Sequence, residues 1–336
     1  MSADCPKVAV IIPNWNTRRW LPGCLDGLRA QTFNDFQIIL VDNGSTDDSL
    51  DFVRHHHPDI EILAFQENRG FAVAVNAGIH YTHSEYVALL NVDTMPQSTW
   101  LAELVKIMDQ SSEDVGCLAS KMLSMDNPKV IDDAGNTLSW YGIACKRGYG
   151  QSAENYAWVE EIFSVSGGAS LYRRSFLEDV GSFDESFVSY LEDVDLGLRG
   201  RIFGYRYLYV PTASVLHQWG GAKIPRPYYV LLTTRNRLAL LLKNIPGPLL
   251  LKHFHTLLYG QFYYLLTYKK PFYSVAGIAA FLRSLPQILA DRQSIQRKKR
   301  ISNQVLDLLI TQEFSEPGLK IIIINKLRNI WRTKGY

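Results

Sequence analysis

The sequence predicts an α/β domain built on a parallel sheet, followed by a helical, amphipathic region at its carboxyl end. Three observations carry this. Short, nearly continuous apolar runs alternate with helix-spaced segments through the first two-thirds of the chain. Polar clusters directly follow four of the five apolar runs. Near residue 245 the composition turns to Leu, Tyr and Phe at helical spacing, ending in a basic run.

The strands are expected at KVAVII (7–12), FQIILV (36–41), IEILA (60–64), YVALL (86–90) and VGCLA (115–119). Their lack of alternation fits strands covered on both faces. WLPGCLDGLRAQ (20–31) and WLAELVKIMDQ (100–110) carry apolar residues at helical spacing. Sheets of this class gather ligands at the carboxyl ends of their strands. The clusters PNWN (13–16), DNGSTDD (42–48), QENRG (66–70) and NVD (91–93) stand at those ends. A first domain over 1–240 and a second region over 241–336 follow from the change of character.

In that second region Leu250, Phe254, Leu257, Leu258, Phe262, Leu265 and Leu266 form a helical stripe, interrupted by Lys252, His253 and His255. Arg283 and Pro286 break the next segment, short of the ~20 apolar residues a span requires. RQSIQRKKR (292–300) holds five basic residues and no acid. Amphipathic helices, tyrosines and a basic run fit a helix lying on an anionic membrane surface. A helical subdomain packed on the sheet with a solvated basic tail is the alternative.

The net charge of +2 argues against nucleic-acid binding over the whole surface. Four scattered cysteines favour free thiols in a reducing compartment. The apolar run before Pro13 is too short for a signal peptide, so cytoplasmic residence is expected. No Gly-x-Gly-x-x-Gly follows the first strand and no Walker loop is present, which disfavours a nicotinamide-dependent enzyme.

Three motifs bear chemistry. DNGSTDDS (42–49) opens a helix that Ser45 or Thr46 can cap and whose dipole Asp47 and Asp48 complement. Asp42, at the strand exit, can accept a hydrogen bond from a nucleobase. Asp93 in NVD can ligate a hard divalent cation holding a diphosphate, or be a turn residue. In YLEDVDLGLR, Glu192 and Asp195 share a helix face while Asp193 projects about 100° from Glu192. Asp195 can pair with Arg199 at i,i+4. The acids can also simply complement a helix amino terminus. His55, His56 and His57 diverge on a helix and cannot close on one metal. Arg235 and Arg237 can meet a phosphate or face solvent.

The motifs IIPNWN, VDNGSTDDS, ENRGFAVAVNAGI, LLNVD, SGGASLYRRSFLEDVGSFDESFVSYLEDVDLGLR and VLHQWGG stand in one order across residues 7–237. In that order the chain resembles a family-2 inverting glycosyltransferase of the GT-A fold, Rossmann-like with a mostly parallel central sheet. It is similar to bacterial rhamnosyltransferases that extend cell-surface polysaccharides. The resemblance implies that Asp42 contacts the uracil or thymine of a UDP- or dTDP-sugar, with Pro13, Asn14 and Asn16 flanking the nucleoside. Asn68, Gly70 and Asn76 border the nucleotide-sugar pocket, and Gly167 and Gly168 let backbone approach a sugar. Asp93 matches the metal-binding acid of the DxD motif, with Asn91 where the first Asp stands. His217 matches the second ligand for Mg²⁺ or Mn²⁺. Asp193 matches the catalytic base, with Glu192 the next candidate.

The implied reaction moves a sugar, best read as L-rhamnose from dTDP-rhamnose, to a hydroxyl of a growing, lipid-linked glycan. The implied setting is the inner face of the plasma membrane, with an anionic membrane surface as partner and a homo-oligomer as a further possibility. The alternative is a non-catalytic nucleotide-sugar-binding or scaffold protein of a polysaccharide assembly system, raised by the missing first Asp.

Overall fold

The computed structural model describes residues 5–218, 225–268 and 270–315. All five expected strands are present, and the ones named first form the parallel half of the sheet. β1 (Val8–Asn14), β2 (Phe36–Asp42), β3 (Glu61–Ala64) and β4 (Tyr86–Leu90) lie side by side in the order β3-β2-β1-β4. The helices α1 (Leu21–Arg29), α2 (Ser49–His56) and α3 (Phe71–Tyr81) connect them in turn. In α1 the buried Leu21, Cys24, Leu25 and Leu28 fall on one stripe, and a proline sits in its first turn. Successive residues of β1 enter opposite cores, Ala9 and Ile11 on one face, Val8, Val10 and Ile12 on the other. Burial on both faces explains the continuous apolar runs.

The sheet continues past what the apolar runs foretell. β5 (Thr94–Pro96) leads into α4 (Trp100–Gln110), then β6 (Val115–Ser124) and β7 (Ile131–Asp133). A small hairpin of β8 (Asn136–Leu138) and β9 (Ala144–Lys146) follows, then β10 (Glu160–Glu161) and β11 (Ala169–Arg173). After α5 (Arg174–Val180) and α6 (Glu192–Ile202) comes the long β12 (Arg206–His217). β11 lies between β4 and β6, antiparallel to both, whereas β6 and β12 are parallel. The sheet is therefore mostly parallel, with antiparallel insertions at the end that builds the site.

The expected cap of the second helix is corrected. α2 begins at Ser49 behind Asp48, and neither Ser45 nor Thr46 caps it. Both are bound instead to the β1 exit, as described below. Of the three histidines, His55 and His56 are exposed, but His57 is buried beneath the helix end.

The helical region comprises α7 (Arg226–Asn244), α8 (Gly247–Lys252), α9 (Phe254–Thr267), α10 (Pro271–Arg283), α11 (Leu285–Lys298) and α12 (Asn303–Leu309). The boundary expected at 240/241 falls inside α7. Leu240, Leu257, Ile288 and Ile295 share one core with Phe176 and Leu198 of the sheet domain. Gly260 in α9 permits this packing, because a Cβ there would lie 1.8 Å from the Tyr141 carbonyl oxygen. The basic run is tied largely to the protein. Arg292 donates to the Leu242 and Ile245 carbonyls, and Arg300 pairs with Asp179 at 2.7 Å. No single helix among the described residues is long and apolar enough to cross a membrane. α10 and α11 pass together by length and composition but are bent by 61°.

Candidate active site

The polar clusters of β1, β2 and the 66–70 loop lock together at one edge of the sheet. Asn14 Nδ2 donates to Asp42 Oδ1 at 2.7 Å and to Ser45 Oγ at 3.0 Å. The Ser45 amide donates to Asp42 Oδ2 at 3.0 Å, so both oxygens of this fully buried carboxylate are engaged. Asp42 thus braces the two strand exits. Asn16, at φ 53°, accepts from the Thr46 amide at 2.7 Å through its side chain, while its own amide donates to Ser45 Oγ. Pro13 sits half-buried just before this cluster.

Asn43, which the sequence motifs leave without a role, fastens the next loop. Its side chain donates to Asn68 Oδ1 and to the Gly70 carbonyl, both at 3.1 Å, and accepts from the Arg69 amide. Gly70 has φ 93°, and a Cβ there would approach Val188 Cγ1 to 2.7 Å. The glycine therefore lets the 66–70 loop touch the segment leading to α6. Asn76 is buried in α3, holding Phe183 through both its carbonyl and amide and reaching Glu185.

The segment before α6 is strained. Val188, Tyr190 and Leu191 have φ of 64°, 71° and 69°, the left-handed region that costs a bulky residue about 1–2 kcal/mol. Asn236 of α7 offsets that cost. Its buried Nδ2 donates to the carbonyls of Phe187, Ser189 and Tyr190 at 2.9, 3.0 and 2.8 Å. Arg235 donates to the Ser186 carbonyl. The over-determined loop fixes where α6 starts and hence where its acids point.

Those acids have three fates. Asp195 is fully buried between Arg199 (2.9 Å), Lys243 (2.8 Å) and Asn244 (2.8 Å), tying α6 to α7. Asp193 turns toward the sheet edge. Its Oδ2 accepts from the Gly167 amide at 3.2 Å and from Asn136 Nδ2 at 3.3 Å, and its Oδ1 from the Val194 amide. Burial raises its pKa and those bonds pull it back. Glu192 is buried with Oε2 lacking any partner among the described residues, and burial and the neighbouring Asp193 push its pKa up to about 8. The three donors to Asp193, against the unpartnered Oε2 of Glu192 among the described residues, favour the pair's negative charge on Asp193.

The remaining expected residues lie alongside. The Asn91 amide donates to the Gly168 carbonyl at 2.8 Å, so Gly167 and Gly168 form the wall between Asp193 and the β4 exit. β12 reaches Asp93 by antiparallel pairing with β5, His217 lying opposite Thr94. A register shift between Val210 and Ser214, around Pro211, redirects the end of that strand. His217 Nε2 thereby stands 3.5 Å from Asp93 Oδ1, while its Nδ1 is 2.8 Å from Asp132 Oδ2. Burial opposes protonation of His217, but Asp132 and Asp93 prevail and raise its pKa to about 9.

Among the described residues no group of three His, Cys, Asp or Glu side chains could hold a metal ion. Asp93 and His217 nevertheless fit a divalent cation whose remaining ligands come from a diphosphate. The Asp93 carboxylate and His217 Nε2 face each other, so a cation would take the place of the Nε2 proton, and the second ring nitrogen is anchored by a carboxylate. Asp132 is itself held by Lys146 at 2.7 Å. Asp132, Asp133 and Asn136 come from VIDDAGN, whose acid pair lies within the short β7 and which the sequence motifs leave unassigned. Asp133 is buried with Oδ2 unpartnered among the described residues, and burial raises its pKa to about 7. Contacts link Asp93 to His217 and His217 to Asp132, and separately Asn136 to Asp193, Asp193 to Gly167 and Gly168 to Asn91; the chain itself closes the circuit over 132–136 and 91–93.

Comparison with known proteins bears on the family and the fold. An uncharacterized glycosyltransferase of a Nostoc species is 36% identical over 131 residues, covering 38% of this chain and 40% of its own length. A pre-mycofactocin glycosyltransferase of Mycobacterium tuberculosis is 30% identical over 215 residues, covering 62% and 42%. The chain thus spans less than half the length of these two curated relatives. A mannosyltransferase of Pyrobaculum calidifontis, solved with GDP-Man and Mn²⁺, has a TM-score of 0.51 at 19% identity, over 90% of this chain and 85% of its own. TarS of S. aureus, residues 1–349, has a TM-score of 0.52 at 16% identity, over 90% and 83%. These structures share the fold. Residues 9–181, just over half of the sequence, match the model of glycosyl transferase family 2, and the chain belongs to that family, on a GT-A fold.

Proposed function

We propose that this chain is an inverting, metal-dependent sugar transferase using a nucleotide-diphosphate donor, best read as dTDP-rhamnose delivering L-rhamnose. The acceptor is a hydroxyl of a growing, lipid-linked cell-surface glycan, met at the inner face of the plasma membrane. The carrying observation is the circuit that sets Asp193 across two glycines from the Asp93–His217 pair. The rhamnose reading is supported by the motif order across 7–237, and the membrane reading by the exposed apolar stripe of α9.

Asp193 removes the proton as the acceptor oxygen attacks the anomeric carbon opposite the diphosphate. The new C–O bond forms as the bond to the diphosphate breaks, its electron pair leaving on the phosphate oxygen, and the anomeric centre inverts. Asp193 needs placement more than basicity, and the Gly167 amide and Asn136 supply it. Asp93 and His217 would hold the divalent cation, which supplies Lewis-acid neutralisation of the leaving diphosphate. Asn91, in place of a second acid, lowers the negative charge there, so the cation binds chiefly with the nucleotide.

A panel of nucleotide-sugars assayed for Mg²⁺- or Mn²⁺-dependent nucleotide release tests this reading. Release from dTDP-rhamnose above all others is the expected result. Absence of release from every donor with either metal overturns it.

A further inference from the structure

A cavity of about 370 Å³ opens beside the strained loop, walled by Leu191, Tyr229, Arg226, Arg237, Tyr264 and Tyr268 among others. Arg237 is the unusual member. It is only 4% exposed, and it forms no ion pair among the described residues. Its Nε donates to Gln261 Oε1 at 3.1 Å, and its guanidinium lies 3.9 Å above the Tyr264 ring. A buried guanidinium without a carboxylate is costly unless an anion completes it. Arg226 stands at the same cavity, 5.1 Å from the Tyr229 ring centroid, and no Asp or Glu lines the walls among the described residues.

Two further observations say what kind of anion. Tyr229 packs edge-on against Tyr190 at 4.8 Å, and Leu191 both lines the cavity and caps α6, so the cavity adjoins the base. α9 supplies Tyr264 and Tyr268, the latter just past its end, to the cavity and on its outer side exposes Phe254, Leu258, Phe262 and Leu266, one residue per turn. One helix thus lines the cavity and carries the exposed apolar stripe, while α7 supplies the two arginines.

We propose that this cavity holds the phosphate of a lipid-phosphate-linked acceptor, with its hydrocarbon lying on the exposed stripe of α9. This rests on the transferase reading above and adds the place of the acceptor's phosphate and hydrocarbon.

The test uses the full chain in EDTA, so that the nucleotide-diphosphate site is not what is measured. Binding of farnesyl phosphate, farnesol and inorganic phosphate is followed by intrinsic fluorescence. Farnesyl phosphate is expected to bind at least about tenfold more tightly than either of the others, because both the charge and the chain contribute. Arg237→Gln is expected to weaken it by about tenfold or more, with Mn²⁺-dependent nucleotide binding changed by less than about twofold. Arg226→Gln, at an exposed position, gives the same direction should the buried substitution unfold the protein. Equal binding of farnesyl phosphate and farnesol, or no loss in either variant, overturns the proposal. Inorganic phosphate binding as tightly as farnesyl phosphate overturns the lipid source. Retained farnesyl phosphate binding with no nucleotide-sugar turnover sinks the transferase reading and leaves the anion site standing.

Discussion

Asn136 donates its side-chain amide to Asp193 Oδ2 at 3.3 Å, joining the β8–β9 hairpin to the second residue of α6. Because that bond favours the charged carboxylate, its loss raises the pKa of Asp193. Asn136→Ala is expected to reduce turnover by about 10- to 100-fold and to move the acid limb of the pH–rate profile upward. The profile measured for both proteins checks the shift; an unmoved limb would detach Asn136 from the base.

Asp132 fixes the ring of His217 from behind. Asp132→Asn is expected to weaken metal-dependent activity, requiring about 10- to 100-fold more Mn²⁺ for half-maximal rate. A titration of nucleotide release against metal concentration measures this, and coinciding curves would remove Asp132 from the site.

Asn236 holds three carbonyls of a loop whose backbone would otherwise relax. Asn236→Leu strands those carbonyls and is expected to cost about 1–3 kcal/mol in urea denaturation. The same variant is expected to lose turnover while keeping nucleotide affinity, because the loop aims α6 and not the nucleoside cluster. Full turnover would show that α6 finds its position without the loop.

Lys243 lies 2.6 Å from Asp184 and 2.8 Å from Asp195, all three largely buried. Burial opposes ionisation of Asp184, but Lys243 outweighs it and lowers the pKa to about 2. A depressed carboxylate contributes stability that is complete above its unfolded pKa near 4 and disappears as pH falls toward about 2, here roughly 2 kcal/mol. Lys243→Met is expected to cost about 3–5 kcal/mol at pH 7 and to flatten the acid side of the stability curve between about pH 4 and 2. Denaturation at stepped pH reads both effects, and parallel curves for the two proteins would discount the pair.

The parallel half of the sheet was legible because strands buried on both faces must be apolar throughout. α4 falls on 100–110, as its periodicity requires. The carboxyl-edge clusters were legible too, since polar residues directly after buried strands have few other places to go. Less visible was how those clusters divide their work: Asp42 is spent on Asn14 and Ser45, Asn76 on Phe183. Asp132 stood outside any pattern because β7 joins the sheet antiparallel over three residues. Left-handed Val188, Tyr190 and Leu191 run against the preference of those side chains, so only Asn236, far along the chain, accounts for them. His253, read as a break in an apolar stripe, stacks on Trp140 at 3.7 Å and bonds Asp307.

Asp193→Asn keeps the size of the side chain and removes its ability to take a proton. Sugar transfer and Mn²⁺-dependent nucleotide binding should be measured together on this variant and the native chain. Transfer is expected to fall by about 1,000-fold or more while nucleotide affinity stays within about twofold. Transfer at the native rate would contradict the assignment of Asp193 as the base and, with it, the site built around it.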